Sequence, residues 1–263
     1  MSYQTILFEI NEGVARLTLN RPDRLNSFNV QMHQEAREAL SQIAASKEAR
    51  VLVFTGAGRG FCAGQDLGDR AVAPGGQGVD LGDSIENYYK PLVLALRNLP
   101  MPVIGAINGV AAGAGANLAL ACDLVIATRS ASFVQAFSKL GLVPDSGGTW
   151  FLPRLLGNAR AMGLAMLGDK LSAEQAAQWG LIWRCVEDAE FKSTVDQLAT
   201  QLAAAPTKGL ARTKQAIYES WGHTLEEQLN LERDYQRELG RSQDYAEGVA
   251  AFTEKRTPKF TGR

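Results

Sequence analysis

The chain is poor in the residues that most side-chain catalysis draws on. Its 263 residues include only two histidines, His33 and His223, and three cysteines, Cys62, Cys122 and Cys185. Two histidines so far apart cannot form an ordinary zinc ligand cluster, and no two cysteines have CxxC spacing. An odd number of scattered cysteines also excludes a disulfide framework, so a reducing compartment is expected. Charge of one sign is missing as well: 27 Lys and Arg face 28 Asp and Glu, a formal net charge of -1. That balance leaves no basic stripe for nucleic acid or an anionic membrane. No apolar run reaches the length of a bilayer span, and the N-terminus has neither the basic start nor the apolar stretch of a signal peptide. A cytoplasmic protein with a small-molecule site is expected.

What is present is apolar bulk: 46% hydrophobic residues can bury one large core. Ile6 to Glu9 and Ala15 to Asn20 alternate like a hairpin around Asn11 to Gly13, and Val51 to Thr55 is a continuous apolar run of the buried-strand kind. Between them Gln31 to Ala45 has helical spacing, with Met32, Ala36, Ala39, Leu40 and Ile43 on one side. A second cycle follows. Leu92 to Leu99 reads as a helix stopped by Pro100 and Pro102, Val103 to Ile107 as a strand, Ala114 to Ala121 as a small-residue helix, and Leu124 to Ala127 as another strand. Strands alternating with helices predict an α/β core with ligands at strand ends. Beyond about residue 150 the strand signal disappears. Ser172 with Gln175 has the capping-box pattern before a helix that Gly180 stops, and helices are predicted at Phe191 to Ala204, Lys208 to Ser220, Thr224 to Leu239 and Ser242 to Lys255. This tail could fold back or pack on a neighbouring subunit. Ala71 to Asp83 is a Gly-rich loop near the substrate or the surface.

Three segments are candidates for chemistry. TGAGRGFCAGQD, Thr55 to Asp66, lets backbone N-H groups approach a ligand closely, although a plain glycine loop has the same composition. NGVAAGAGANLALACD, Asn108 to Asp123, runs from a strand into a helix whose N-terminus offers free N-H groups. Close packing of small residues explains it equally. It departs from a dinucleotide fingerprint at Leu118. PDSGG, Pro144 to Gly148, invites a serine-hydrolase reading, but Ser146 has no histidine base nearby in sequence and the G-x-S-x-G elbow is absent. Asp145 remains. It could be an ordinary turn residue; among Leu140, Leu142, Val143, Trp150 and Phe151, an inward-pointing carboxylate would be desolvated into a better general base.

Taken together, LNRPDRLNSFN (Leu19 to Asn29), TGAGRGFCAGQD, PVIGAINGVAAGAGANLALACDLVIA (Pro102 to Ala127), FSKLGLVPDSGGTWFLPRLLG (Phe137 to Gly157), LSAEQAAQWGLI (Leu171 to Ile182) and FTEKR (Phe252 to Arg256) resemble the crotonase, or enoyl-CoA hydratase/isomerase, family across nearly the whole chain. The resemblance implies an α/β fold with a ββα spiral core over residues 1–200 and a helical region, 201–263, for trimerisation. It implies an acyl-CoA thioester substrate, with no cofactor beyond the coenzyme A that the substrate carries. The oxyanion hole falls on the N-H groups of Gln65 and Ala114, and the catalytic acid on Asp145. Where the family's hydratases carry two glutamates this sequence has Asn117 and Phe137, which points to an isomerase. The character of FCAGQDL, AFSKLGL, PDSGGTW and NLERDYQRELGRS implies action on a ring epoxide of phenylacetyl-CoA, with Phe137, Trp150 and Tyr88 suited to the ring. A straight-chain Δ3,Δ2-enoyl-CoA isomerase or a hydratase is the alternative, and an RNA-binding or scaffold member the non-enzyme one. Asn117 and Phe137 are expected in the acyl pocket. For the coenzyme, Arg24 and Leu25 match positions beside the adenine or 3'-phosphate, and Ala63, Asp66 and Leu67 the adenine-side loop. Phe252 and Lys255 match an adjacent-subunit contribution, although Lys255 would equally suit a solvated helix face. Partners implied are a homotrimer or dimer of trimers and the other enzymes of phenylacetate breakdown.

Overall fold

The computed structural model describes residues 3–66, 68 and 80–262. The hairpin is β1 (Ile6–Asn11) and β2 (Val14–Leu19), antiparallel about Glu12 and Gly13, both in the left-handed region at φ 49° and 80°. β2 then pairs in parallel with β3 (Val51–Gly56), and β5 (Val103–Ile107), β7 (Leu124–Thr128) and β10 (Arg184–Val186) extend the sheet in the order β1-β2-β3-β5-β7-β10. A second sheet, β4-β6-β8-β9, is built from β4 (Gly60–Cys62), β6 (Val110–Ala112), β8 (Ser132–Val134) and β9 (Lys170–Ser172). Each consecutive pair β3–β4, β5–β6 and β7–β8 gives its first strand to the large sheet and its second to the small one. A helical segment follows each pair. These are α2 (Leu81–Ser84) and α3 (Lys90–Asn98), joined through a π-helical turn at Ile85–Tyr89; then α4 (Ala114–Leu120); then α5 (Gly148–Leu156) and α6 (Asn158–Leu167). This repeat is the expected ββα spiral.

Burial follows the sequence pattern. β5 is buried at every residue, as a parallel strand covered on both faces must be. α1 (Val30–Ala45), capped by Asn29 through the Met32 N-H, lays down Met32, Ala36, Ala39, Leu40 and Ile43, and also His33. α8 (Asp188–Ala203) covers the opposite face, setting Val195, Ala199 and Ala203 against Val51, Val53, Ile104 and Ile126. Ser172 caps α7 (Ala173–Trp179) through the Gln175 N-H, and Gly180 ends it at φ 82°. The expectation of no strand after residue 150 fails: β9 and β10 lie there. Each is three residues long, too short to show a period, and each adds to a strand already formed upstream.

Beyond α8 come α9 (Thr207–Glu219), α10 (Leu225–Leu239) and α11 (Gln243–Glu254). α9 folds back on the core through a buried ion pair, with Lys214 Nζ 2.9 Å from Asp123 Oδ2. Asp123 also accepts the Val103 N-H at 2.7 Å and a bond from the Tyr218 hydroxyl. The chain end returns as well, for Arg50 donates to the carbonyls of Ala205 and Phe260 and to Thr207 Oγ1. Removing one partner of a buried pair leaves the other charge uncompensated, so Lys214→Met is expected to cost about 3 kcal/mol of stability in chemical unfolding.

Near the chain end, Glu247 accepts both arms of Arg256 at 2.6 and 2.9 Å and the Lys259 N-H at 2.6 Å. These bonds, the Arg256 ones first, hold its carboxyl at about 2 against the usual 4.5. Since the folded value is depressed, this tether stabilises the tail fully above about pH 4.5 and is lost as pH falls through about 2. An NMR titration of the Glu247 carboxyl carbon should have its midpoint near the lower value; a midpoint near the usual one would remove the tether.

Candidate active site

The chain leaving β4 runs beside Phe28 as a single parallel bridge. Phe28 N donates to Gly64 O at 2.7 Å and Asp66 N to Phe28 O at 2.9 Å. The Gly64–Gln65 peptide is trans, so with its carbonyl turned to Phe28 its N-H, that of Gln65, faces the other way. The start of α4 lies against this segment. A β-carbon on Gly64, at φ +91°, would sit 2.9 Å from Ala112 O and 3.3 Å from Ala114 N, and one on Gly115 would sit 2.3 Å from Cys62 O. Only glycines permit this approach. Ala114 is the first residue of α4, where a backbone N-H has no acceptor within the helix. The peptide donors of Gln65 and Ala114 are thus carried by two segments in direct backbone contact.

Side chains fix this arrangement from behind. Cys62 accepts the Gly64 N-H on its sulfur at 3.4 Å, and burial pushes its thiol up to about 12, so it is neutral packing. Tyr89, the last residue of the π-helical turn, donates from its hydroxyl to Gln65 Oε1 at 3.0 Å. His33 stands edge-on to Tyr89 and tilted over Phe28, ring centroids 4.5 and 4.6 Å away, with Tyr88 on its flank at 5.3 Å. Tyr88 is half-buried beside this cluster.

Asp145 is half-buried in the turn before α5. Ser146, in the left-handed region at φ 51°, donates from Oγ to Asp145 Oδ1 at 2.9 Å. This bond makes Ser146 a support for the carboxylate. Neither histidine serves it, because His33 is in the aromatic cluster and His223 bonds Gln228. Phe137 is buried in a 3-10 turn (Ala136–Leu140), its ring 3.8 Å from where a β-carbon on Gly113 would be, just ahead of Ala114. The ring covers the floor beside the two donors.

Three expectations are corrected. Asn117 is wholly buried, and both ends of its amide are taken within the protein: Nδ2 donates to Asp145 O at 2.7 Å and Oδ1 accepts from Gln135 Nε2 at 2.8 Å. It is not placed to touch substrate. The apolar surround of Asp145 is also thinner than its sequence suggests, because Leu140, Leu142, Val143 and Trp150 are exposed and only Phe151 is buried. Trp150 lies against Arg154, 4.2 Å from ring centroid to guanidinium, and lines a separate cavity of about 510 Å³ with Arg97, Tyr218 and Trp221.

The coenzyme positions fall in two groups. Ala63 N donates to Leu25 O at 2.9 Å, and Arg21 pairs with Asp66 at 2.9 Å, so Arg24, Leu25, Ala63 and Asp66 share one edge. Burial pushes the Asp66 carboxyl up, but the Arg21 and Gly68 hydrogen bonds and the charges of Arg21 and Arg24 outweigh it and hold it below the usual range. Arg24 itself is exposed. Phe252 and Lys255 belong to α11 and its left-handed cap, Phe252 being 88% exposed in an apolar cleft with Tyr245, Val249 and Phe260. Leu67 and most of the Ala71 to Asp83 loop lie outside the described residues.

Sequence reasoning missed Asn26, Arg21, Tyr89 and Gln135. Asn26 is buried at φ 57°, donates to Ala57 O and Gly60 O, and so pins the Leu19 to Asn29 segment against the glycine loop. An Asn-Ser pair between Leu25 and Phe28 was its only signal.

The profile of the enoyl-CoA hydratase/isomerase family matches residues 9–263. The chain is 61% identical to the 1,2-epoxyphenylacetyl-CoA isomerase of Escherichia coli K12, over 98% of each protein. It is 50% identical to a probable enoyl-CoA hydratase of Rhodobacter capsulatus over the full length of both. The solved structure of an enoyl-CoA hydratase from Bacillus anthracis superposes with a TM-score of 0.93 at 33% identity, covering 99% of this chain and 100% of that one. Matched by this profile over nearly its whole length and wound from two sheets as a ββα spiral, this chain belongs to the enoyl-CoA hydratase/isomerase family.

Proposed function

We propose that this protein isomerises 2-(1,2-epoxy-1,2-dihydrophenyl)acetyl-CoA to 2-oxepin-2(3H)-ylideneacetyl-CoA. The reading is carried by one observation: Asp145 is fastened to the helix that begins with Ala114, while the two positions where hydratases are expected to carry acids hold Asn117 and Phe137. Neither an amide nor a phenyl ring can activate water. The 61% identity to an isomerase named for this substrate supports the same reading.

The reaction adds and removes no atoms. The epoxide opens to its oxepin valence isomer, and Asp145 takes the proton from the carbon alpha to the thioester. The electron pair moves onto the thioester oxygen, where the N-H groups of Gln65 and Ala114 meet the charge as it develops. Asp145 then returns the proton to a ring carbon, which shifts the double bond into conjugation with the thioester. Phe137 beside the donors keeps water from the enolate. Proton transfer of this kind needs no resident cofactor. Arg24, with Leu25, Ala63, Asp66 and Leu67, takes the nucleotide end of the coenzyme, and Phe252 and Lys255 approach it from a neighbouring copy. Exposed Trp221, Leu225, Leu229 and Phe252 on the helical tail support assembly into trimers. No helix among the described residues is long and apolar enough to cross a membrane, and the balanced charge suits a cytoplasmic enzyme that acts with others of phenylacetate breakdown.

Comparing kcat/KM for the ring epoxide, a 3-enoyl-CoA and crotonyl-CoA tests the assignment. The ring epoxide should be preferred and water addition to crotonyl-CoA should be negligible; preference for the straight chain would reassign the substrate. Asp145→Asn should remove isomerisation while leaving acyl-CoA binding intact, and full activity in that variant would sink the base assignment. Gly64→Ala should lower kcat/KM by about a hundredfold or more, because the added methyl crowds the Ala114 donor. Activity within about threefold of the parent would exclude these peptides as the hole.

A further inference from the structure

We infer that Asn117 is a positioning residue for the proton transfer: its amide sets the acid turn against the helix that carries one oxyanion donor. The inference rests on the reading of Asp145 as the base. Ala114 and Asn117 both lie in the first turn of α4, all of whose residues are buried, so donor and amide are carried by one rigid element. Asn117 Nδ2 reaches Asp145 O at 2.7 Å, and the Gly148 N-H reaches the same oxygen at 2.8 Å. A carbonyl oxygen has two lone pairs, and both are used. The Asp145 peptide plane is therefore fixed from two sides.

Gln135 decides which end of the amide faces the acid. Its Nε2 donates to Asn117 Oδ1 at 2.8 Å, which turns the Asn117 NH2 toward Asp145. Gln135 is itself buried and lies two residues before Phe137, so one amide joins three parts of the site: the donor helix, the segment bearing Phe137, and the acid turn. The contact admits no spacer. A β-carbon on Gly148 would lie 2.4 Å from Asn117 Nδ2. Ser146, next to the acid, holds a left-handed conformation at φ 51° that costs on the order of 1 kcal/mol and persists only where the surroundings impose it. The Asn117 bond on the backbone of Asp145 and the Ser146 hydroxyl on its carboxylate impose it.

Such control matters because one carboxylate serves two carbons while the thioester oxygen stays with its donors. A displacement of about 1 Å can cost on the order of a hundredfold in rate. Asparagine is also required chemically: aspartate could still accept from Gln135 but would set an acceptor against the Asp145 carbonyl.

The test is Asn117→Asp, with Gln135→Met as a second variant that leaves Asn117 in place and removes its orienting bond. Rates are read as isomerisation and as exchange of the alpha protons of phenylacetyl-CoA in heavy water. Asn117→Asp should lower kcat by about tenfold to a hundredfold with KM and acyl-CoA affinity within about twofold, and Gln135→Met should lower kcat by a smaller factor in the same way. In the Asp145→Asn background, where isomerisation is already removed, Asn117→Asp should leave acyl-CoA affinity unchanged, since the effect runs through the carboxylate. An unchanged kcat in both variants, or a loss that falls on acyl-CoA affinity instead of kcat, overturns the inference. If Asp145→Asn itself stays active, the base assignment fails, whatever the Asn117 variants do.

Discussion

The arrangement depends on a backbone contact between the segment leaving β4 and the first turn of α4. Carbonyl and amide groups meet there at distances that a single methyl at Gly64 or Gly115 would forbid. Because the two segments touch, the small sheet can pair β4 with β6 directly below them, and Cys62 can tuck its thiol under the Gly64 amide. The Leu19 to Asn29 segment is drawn in by Asn26, which bonds the carbonyls of Ala57 and Gly60. Arg21 and Asp66 then close that edge with an ion pair.

The electrostatics divide along the same line. Beside the backbone donors stand a protonated thiol, a phenyl ring, and a glutamine held by a tyrosine hydroxyl. Two carboxylates of the same core are tied up structurally, Asp66 under Arg21 and Asp123 under Lys214. Burial lowers the Lys214 ammonium's pKa, and the Asp123 charge opposes that shift. In the proposed reading, the enolate that forms at the donors meets oriented dipoles in a poorly solvated setting, where they act most strongly.

Within the large sheet β3, β5 and β7 were legible as continuous apolar runs and β1 and β2 as an alternating hairpin, while α1 was legible because Met32, Ala36, Leu40 and Ile43 repeat at helical spacing. The second sheet was not, since three-residue strands such as β4 and β8 carry no period and are defined by their partners. His33 illustrates another limit: a histidine on an amphipathic helix reads the same whether it faces water or, as here, the rings of Phe28 and Tyr89. The site's acid and donor peptides were placed by motif. Asn117 was read as a pocket residue because sequence gives no sign of which neighbour consumes a buried amide. The exposure of Leu140, Leu142 and Val143 was hidden for a related reason: apolar residues in a loop outnumber the core positions it can reach.

In the proposed reading, the half of the site that receives negative charge is made of main-chain atoms, whereas the half that moves the proton is one side chain on a separate turn. A codon change can erase or relocate the second half, but it can reach the first only by deforming the backbone contact at Gly64 and Gly115. Change in such a site is therefore lopsided: the base can be exchanged in one step, while the main-chain half is an electrophilic socket that the genetic code cannot easily edit.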